Sequence, residues 1–358
     1  MYSTYSYEQL SIFCKAIFSN MGCSIADAAL ATKVLLQADL RGIDSHGIAR
    51  LSGYVRLCLA GRVNAKPNIT ITHETPSTAT VNADAALGLV AAPYAMQLAI
   101  SKAKAVGSGW VAVHNSNHFG IAGYHAMLAL EHDMIGIALT NASALVAPTF
   151  GLEKMLGTNP IAVAVPSGEQ PPFVADFSTT TAANGKLEIL QRKQLATPTG
   201  WVQDAQGQAI TDADILKKGG ALLPLGSDHE HSSHKGYALG SIVDILSGVL
   251  SGANYGPWVP PFPAYIPMPT GMPGLGIGHF IGAMRIDAFR PANDFKQDMD
   301  KWILRFNNTK PIHATQPVII PGTPERLIQQ QRMQHGIPII QPVVDDLIKL
   351  GHEFNIVL

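Results

Sequence analysis

The sequence predicts an α/β (α+β) fold in which the two ends of the chain build a helical region. Apolar residues recur at helical spacing over residues 7–64 and again in roughly the last fifty residues. Between these regions, short apolar runs rich in β-branched residues alternate with helical patterns. We therefore expect a helical domain formed by residues 1–72 and 308–358, and an α/β domain formed by residues 73–307.

Each element rests on its own local pattern. The first helix is predicted to begin at Tyr7, the second to begin after Ser24, whose hydroxyl is a good helix cap, and a third to cover residues 47–60. Strands are predicted at residues 78–84, 109–114, 135–141, 161–166 and 173–177, with helices at 89–105, 123–131 and 236–250. Residues 254–275 are rich in Pro and Gly and predict a long loop. Helical patterns return at residues 324–333 and 343–351.

Composition excludes several classes of protein. A net charge of -1 over 358 residues gives no indication of binding to nucleic acid or to an anionic membrane. The three cysteines have neither the number for a disulfide framework nor the paired spacing of a zinc site, and indicate reduced thiols in a cytoplasmic protein. The N-terminus lacks the pattern of a signal peptide, and no apolar run reaches the roughly 18 residues of a membrane span.

The segment from Asp39 to Arg50 concentrates charge in a chain that is only 14% charged. If it is helical, His46 and Arg50 lie on one face, because residues i and i+4 are neighbours there. An imidazole moves protons near neutral pH, and a guanidinium binds a carboxylate through two hydrogen bonds. These are the groups needed to act on a 2-oxo or 2-hydroxy acid. The alternative is a polar helix end with a surface arginine.

Three further polar segments adjoin predicted strands. His118 follows one strand as a candidate acid/base or substrate contact, or lies in a simple polar turn. Asn159, in Gly-Thr-Asn-Pro, belongs either to a turn or to a backbone-rich wall around a ligand. Asp176 opens a hydroxyl-rich stretch that either binds phosphates near a helix start or is a solvated turn.

Two features resemble known ligand-binding motifs but do not match them. His229, His231 and His234 match no established zinc spacing, so we expect no metal, and Lys235 at a helix start is the better ligand for a phosphate or carboxylate. The glycines of residues 274–282 approach a dinucleotide fingerprint, but a loop precedes them and a strand pattern follows them. A Rossmann site is therefore not expected.

Six segments, taken in order, resemble the type-2 malate/L-lactate dehydrogenase family, which also includes sulfolactate, ureidoglycolate and diketogulonate oxidoreductases. They are Asp-Ser-His-Gly-Ile-Ala-Arg (44–50), Asn-Ser-Asn-His-Phe-Gly (115–120), Gly-Thr-Asn-Pro (157–160), Asp-Phe-Ser-Thr (176–179), His-Lys-Gly-Tyr (234–237) and Gly-His-Phe (278–280). The resemblance implies a non-Rossmann NAD(P)-binding domain with a mixed sheet, and a homodimer whose active site lies near the subunit interface. Within the family, malate dehydrogenase is the nearest type.

The resemblance also implies roles for individual residues. His46 matches the family's proton donor/acceptor and His118 a second active-site histidine, and which of the two is the acid/base stays open. Arg50, Ser45 and Asn159 are the expected substrate contacts. NAD or NADP is expected to contact three segments: Asp176, Phe177, Ser178, Thr179, Thr180, Thr181 and Ala182; His234 and Lys235; and Gly322, Thr323 and Pro324. The third segment departs from a Gly-His-Glu-like sequence that is frequent in the family.

The expected reaction is reversible hydride transfer between a 2-hydroxy acid and a 2-oxo acid, most simply (S)-malate and oxaloacetate. Arg50 would bind the carboxylate and His46 would exchange the proton of the C2 oxygen. Other 2-oxo acids, or cyclic imino acids, are the alternative substrates. A different class of protein, a non-catalytic ligand- or metal-binding protein that uses the histidines of residues 229–234, is the competing hypothesis.

Overall fold

A computed structural model describes residues 2–262 and 266–358. Its helices are α1 (Tyr7–Asn20), α2 (Ile25–Leu40), α3 (Leu51–Leu59), α4 (Gly88–Val106), α5 (Ala122–Met127), α6 (Asn184–Lys193), α7 (Ser233–Asp244), α8 (Ala292–Asn307), α9 (Thr323–His335) and α10 (Gln341–Phe354). Its strands are β1 (Tyr2–Tyr5), β2 (Thr70–Glu74), β3 (Thr78–Asn82), β4 (Ser108–Ser116), β5 (Met134–Thr140), β6 (Ile161–Val165), β7 (Phe173–Phe177), β8 (Val202–Gln203), β9 (Ala209–Ile210), β10 (Ala221–Leu222), β11 (Ile277–Arg285) and β12 (Ile337–Ile340).

A seven-stranded mixed sheet forms the centre of the molecule, in the order β2-β3-β4-β11-β5-β6-β7. β3 and β4 are parallel, and α4 supplies the crossover connection that a parallel pair requires. The other neighbouring strands are antiparallel. β7 is the last strand of this order, so its end at Phe177 leads directly into the hydroxyl-rich segment at the sheet margin.

The two chain ends meet in a short antiparallel sheet, in which β1 pairs with β12 from Tyr2 opposite Ile340 to Tyr5 opposite Ile337. Beneath it, the buried faces of α1, α2, α3 and α10 share one apolar core. Burying such faces is the main source of helix stability in a folded protein. The predicted helical region built from both termini, and the α/β fold class, are confirmed; the exact domain boundaries stay a prediction.

Capping chemistry explains where the N-terminal helices begin. The Ser6 hydroxyl accepts a hydrogen bond from the Gln9 backbone N–H, and the Gln9 side chain accepts one from the Ser6 backbone N–H. The predicted cap at Ser24 is confirmed, since its hydroxyl accepts from the Asp27 backbone N–H at 3.1 Å. Each such cap stabilises its helix by about 1 kcal/mol.

The structure differs from the sequence prediction in one place that matters for the site. Residues 44–47 form turns, a 3-10 turn covers Ile48–Arg50, and α3 begins only at Leu51. His46 therefore lies outside any helix, and the i, i+4 argument that paired it with Arg50 is wrong. The glycine-rich decoy is correctly rejected, because most of it lies within β11. Of the loop expected at residues 254–275, residues 263–265 lie outside the described part.

Neither a membrane-spanning helix nor a metal-binding cluster is present among the described residues. In residues 2–262 and 266–358, no helix has both the length and the apolar character required to cross a bilayer. In the same ranges, no group of three His, Cys, Asp or Glu side chains is arranged to hold a metal ion. The imidazole of His231 is instead paired with Asp228 at 2.8 Å, and the ring of His229 lies against Phe150 and His234.

Candidate active site

The carboxyl group of Asp39, at the end of α2, stabilises the turn that carries His46. Asp39 is almost fully buried, and its Oδ2 accepts the backbone N–H of Ile48 at 2.7 Å. A Cβ atom at Gly47 would lie 2.2 Å from the same carboxyl group, so the turn requires glycine there. Burial raises the pKa of Asp39 to about 8. Asp39 therefore supports the turn mainly as a neutral acid at neutral pH.

His46 and His118 are brought together from distant parts of the chain. Their ring centroids are 5.7 Å apart and their planes differ by 24°. The surrounding protein, and second the positive charge of Arg50, lower the pKa of His46 to about 4. Burial, and second the neighbouring His46, hold the pKa of His118 well below its usual value. Both imidazoles are therefore neutral at neutral pH.

The hydrogen bonds of His118 select one tautomer. Its Nδ1 accepts the backbone N–H of Gly120 at 3.3 Å and lies 2.6 Å from the hydroxyl of Tyr54. An N–H group can only donate, so Nδ1 is an acceptor and the proton of the neutral ring is on Nε2. His118 is thus a preset hydrogen-bond donor. The Nδ1 of His46 lies 2.9 Å from the Ser45 hydroxyl, which can donate or accept, so the tautomer of His46 is free to change.

Arg50 joins this group through contacts other than helical spacing. Its Nε donates to the Ser45 backbone carbonyl at 2.6 Å, and its terminal nitrogens face the carboxylate of Glu188 on α6 at 3.1 and 3.5 Å. The guanidinium carbon also lies 5.9 Å from the ring centre of Phe262. The predicted neighbours Ser45, His46 and Arg50 therefore do meet, around a turn.

Tyr54 and Phe262 pack against His118, and neither residue was identified from the sequence. The Phe262 ring stacks on His118 with centroids 4.7 Å apart, and it lies 5.2 Å from the Tyr54 ring. Tyr54 had a usable signal, since it follows Arg50 by four residues at the start of an apolar helix. Phe262 had none, because it belongs to an irregular Pro-rich segment whose path depends on the rest of the fold.

Two of the three segments expected to contact a cofactor lie beside β7. At Asp176, Oδ2 accepts the backbone N–H of Gly123 at the start of α5, and the surrounding protein raises the carboxyl pKa to about 6. The backbone carbonyl of Pro321, just before Gly322 and α9, accepts the Val174 N–H at 3.1 Å. The hydroxyl-rich segment and the start of α9 are therefore neighbours of the same strand.

Asn159 connects the hydroxyl-rich segment to α7. Its fully buried amide donates to the Gly240 carbonyl at 2.9 Å and accepts the Ala142 N–H at 3.0 Å, while its backbone carbonyl accepts the Thr179 hydroxyl. This places the segment that begins at Thr179 against the helix whose first turn carries His234. Both ends of the Asn159 amide are thus paired within the protein. A contact between this side chain and the substrate stays a prediction.

The hydroxyl groups of the segment donate to backbone carbonyls within the segment and in the chain beside it. The Thr180 hydroxyl donates to the Ala182 carbonyl, and the Thr181 hydroxyl to the Leu223 carbonyl. Phe177 and Ser178 remain partly or fully exposed beside them, as do His234 and Lys235 at the start of α7. The cofactor contacts predicted for these residues, and for Gly322, Thr323 and Pro324, stay predictions.

The first turn of α6 links the hydroxyl-rich segment to the His46 turn. A Cβ atom at Gly185 would lie 2.4 Å from the Cβ of Ser45, so only glycine allows this approach. Beside the contact is a cavity of about 460 Å³, lined on its polar side by Ser45, Arg50, Glu188 and Lys193 and on its apolar side by the chain around β12. The cavity therefore reaches Ser45 and Arg50, but neither His46 nor His118 lines it.

Comparisons with known proteins identify the family and several relatives of this chain. A family model described as malate/L-lactate dehydrogenase matches residues 5–348. The malate dehydrogenase of Pyrococcus abyssi is 39% identical over 98% of this chain and 94% of its own, and the malate/(S)-sulfolactate dehydrogenase of Methanothermus fervidus is 38% identical over 98% of each. The structure of malate dehydrogenase from Entamoeba histolytica superposes with a TM-score of 0.93 at 32% identity, covering 100% of this chain and 99% of that one.

These similarities identify the class of protein first: the chain is an enzyme, an oxidoreductase of the dehydrogenase type. It belongs to the malate/L-lactate dehydrogenase family. The resemblance drawn from the six sequence segments is thereby confirmed.

Proposed function

We propose that this enzyme interconverts (S)-malate and oxaloacetate with NAD or NADP as the hydride carrier. The observation that carries the proposal is the placement of two neutral imidazoles, His46 and His118, beside the guanidinium of Arg50. The names of the two relatives and of the Entamoeba structure favour malate among the possible acids. The M. fervidus relative makes sulfolactate the second candidate.

The residues present fit a dinucleotide at the predicted segments. Among the described residues, Oε2 of Glu325 and Nε of Arg326 are buried without a hydrogen-bond partner, directly after Gly322, Thr323 and Pro324. Buried polar groups are nearly always paired, so orphans of this kind are expected where a ligand supplies the partner. A carboxylate oxygen suits a ribose hydroxyl and an arginine N–H suits a phosphate. A bound nicotinamide would accept or supply the hydride at C2 of the substrate.

The protein side chains would supply orientation and proton transfer. Arg50 binds the substrate carboxylate and so fixes the position of C2. The Nε2–H of His118 donates to the C2 oxygen and polarises it. In the oxidation, neutral His46 accepts the hydroxyl proton while Ser45 holds its other nitrogen; in the reduction, the His46 imidazolium returns that proton. The fixed tautomer of His118 favours His46 as the acid/base.

The pKa of His46 predicts the pH dependence of both directions. Oxidation needs the neutral ring, which predominates above a pKa of about 4. We expect kcat/KM for (S)-malate to be constant between about pH 6 and about pH 5, and to decrease below about pH 5. Reduction needs the imidazolium, so kcat/KM for oxaloacetate should rise as the pH falls over the same range. Initial rates in buffers of constant ionic strength test this, and an oxidation profile that breaks near pH 7 would contradict it.

We also propose a homodimer, supported by an exposed apolar face on the helix that carries His234. Ile242, Ile245 and Val249 are each 50–53% exposed, and their spacing places them along one side of α7 and the π-helical turn that continues it. Contiguous exposed apolar surface of this kind usually marks an interface. A second copy of the chain is the proposed occupant, with the dinucleotide segments near the interface.

If the protein is a dimer through this face, one substitution in the face should lower its mass in solution. Ile245→Glu would bury a charge in the interface, and we expect it to shift the protein from dimer to monomer in light scattering after size exclusion. Ile25→Glu is the matched control, because Ile25 is exposed at the start of α2, outside this face. A dimer that survives Ile245→Glu, or a wild-type protein of monomer mass, would refute the proposed interface.

The proposed substrate is tested by a panel of 2-oxo acids. Oxaloacetate, sulfopyruvate, pyruvate, 2-oxoglutarate and diketogulonate are each mixed with NADH or NADPH, and the absorbance at 340 nm is followed. We expect oxaloacetate to give the highest kcat/KM with one of the two cofactors. A preference for sulfopyruvate would select the second candidate, and a lack of turnover with all five would move the substrate elsewhere in the family.

A further inference from the structure

Arg50, the proposed binding group for the substrate carboxylate, already holds a carboxylate of its own chain. Its Nη2 lies 3.1 Å from Oε2 of Glu188, and its Nη1 lies 3.5 Å from Oε1. Its Nε is used by the Ser45 backbone carbonyl. The two terminal nitrogens are the part of the fork that a substrate carboxylate would use in a two-point contact. Glu188 therefore occupies that position.

Glu188 is directed to this position by its helix. The Asn184 side chain, one turn earlier on α6, donates to Oε1 of Glu188 at 2.9 Å. The first turn of α6 is pressed against Ser45 by the close approach at Gly185. The carboxylate that faces Arg50 is thus held by two features of α6, in addition to its own charge.

Glu188 lies beside a cavity into which its side chain could rotate. The cavity of about 460 Å³ is lined by both Arg50 and Glu188, and the ammonium-bearing side chain of Lys193 lines it as well. Rotation of the Glu188 side chain into this space would leave α6 in place; the carboxyl groups of Asp39 and Asp44 also line the cavity. Both members of the pair are only partly buried, with side-chain exposures of 17% and 32%. The free energy needed to separate them is therefore small.

We propose that Glu188 is a built-in competitor that a substrate carboxylate must displace from Arg50, and that it thereby sets the affinity for the acid substrate. The inference rests on the proposed function only in that Arg50 binds the substrate carboxylate. When only a fraction of the enzyme has Arg50 free, the apparent dissociation constant rises by the inverse of that fraction. Glu188 is in this sense a residue that controls affinity, with no part in proton or hydride transfer.

The test compares Glu188→Gln with Glu153→Gln, which removes the same charge from an exposed loop position. Glutamine keeps the size of the side chain and its hydrogen bond from Asn184, but loses the ion pair with Arg50. Calorimetric titration with oxalate, a small dicarboxylate, should give about fivefold tighter binding to Glu188→Gln than to wild type, the scale of a partly exposed ion pair. Glu153→Gln should match wild type.

Steady-state rates give a second readout that a merely structural role would not produce. KM for (S)-malate should fall by the same factor in Glu188→Gln while kcat stays within about twofold. Oxalate affinity that is unchanged or weaker in Glu188→Gln would overturn the inference.

Arg50→Lys, titrated in parallel, separates the two possible failures. If oxalate affinity responds to Arg50→Lys alone, Glu188 is not a competitor but the proposed function stands. If it responds to neither variant, the carboxylate does not bind at Arg50, and both proposals fall.

Discussion

His46→Ala is expected to lower kcat for (S)-malate oxidation by about a thousandfold, which lies within the range found for the loss of a positioned general base. The structure gives the reason: His118 has Nδ1 engaged by the Gly120 N–H and Tyr54, so its neutral ring presents a proton rather than a lone pair. His46 is the ring whose tautomer can adjust through Ser45. Steady-state kinetics, with cofactor binding followed by fluorescence, should show a large loss of kcat and little change in cofactor affinity.

Two controls accompany this variant. His73→Ala removes an exposed imidazole from β2 and should leave kcat unchanged. His118→Ala removes a hydrogen-bond donor but no base, so its loss of kcat should be smaller than that of His46→Ala. If His118→Ala is the more damaging of the two, the assignment is reversed and His118 is the acid/base.

Arg50→Lys is expected to raise KM for (S)-malate by about thirtyfold with a smaller change in kcat. Lysine keeps the positive charge but loses the planar fork that makes two parallel hydrogen bonds to a carboxylate. Hydrogen bonds to charged groups contribute about 1.5–3 kcal/mol, which corresponds to a change of this size. The measurement is a malate saturation curve at fixed, saturating cofactor.

Arg50→Ala adds a readout that does not depend on substrate affinity. The charge of Arg50 is one cause of the low pKa of His46, so its removal should raise that pKa and move the acid limb of the oxidation profile to higher pH. Arg50→Lys should leave the limb close to its wild-type position. An unchanged KM in both variants, or an acid limb that does not move in Arg50→Ala, would show that Arg50 is not beside the reacting groups.

Local patterns in the sequence were sufficient for much of the fold. The cap at Ser24, the apolar spacing of α1 and α2, and the β-branched runs of β5 and β6 each depend on near neighbours, and each was predicted. The pairing of β1 with β12 joins opposite ends of the chain and leaves no local signal. α8 was also missed, although its apolar residues recur at helical spacing from Phe295 to Phe306. The amphipathic pattern was therefore present in the sequence, even though Ile303 is the one buried residue of this helix.

The site shows the same division. His46, His118 and Arg50 were identified by residue type and by order of segments, and the structure places them close to one another. The reason first given for joining His46 to Arg50 was wrong, because Gly47 and the buried Asp39 make a turn where a helix was assumed. Tyr54, Phe262 and Glu188 act through contacts between remote segments, and such contacts follow from the fold rather than from any short motif.

The most direct test of the account is the fate of the hydrogen at C2 of malate. Wild-type protein is mixed with (S)-malate that carries deuterium at C2 and with NAD or NADP, the absorbance at 340 nm is followed, and the reduced cofactor is examined by mass spectrometry. The account predicts that absorbance rises, that deuterium appears in the reduced cofactor, and that (R)-malate gives no comparable rate. Reduced cofactor without deuterium, or no reduction by (S)-malate with either cofactor, would contradict the claim that this site oxidises malate by hydride transfer.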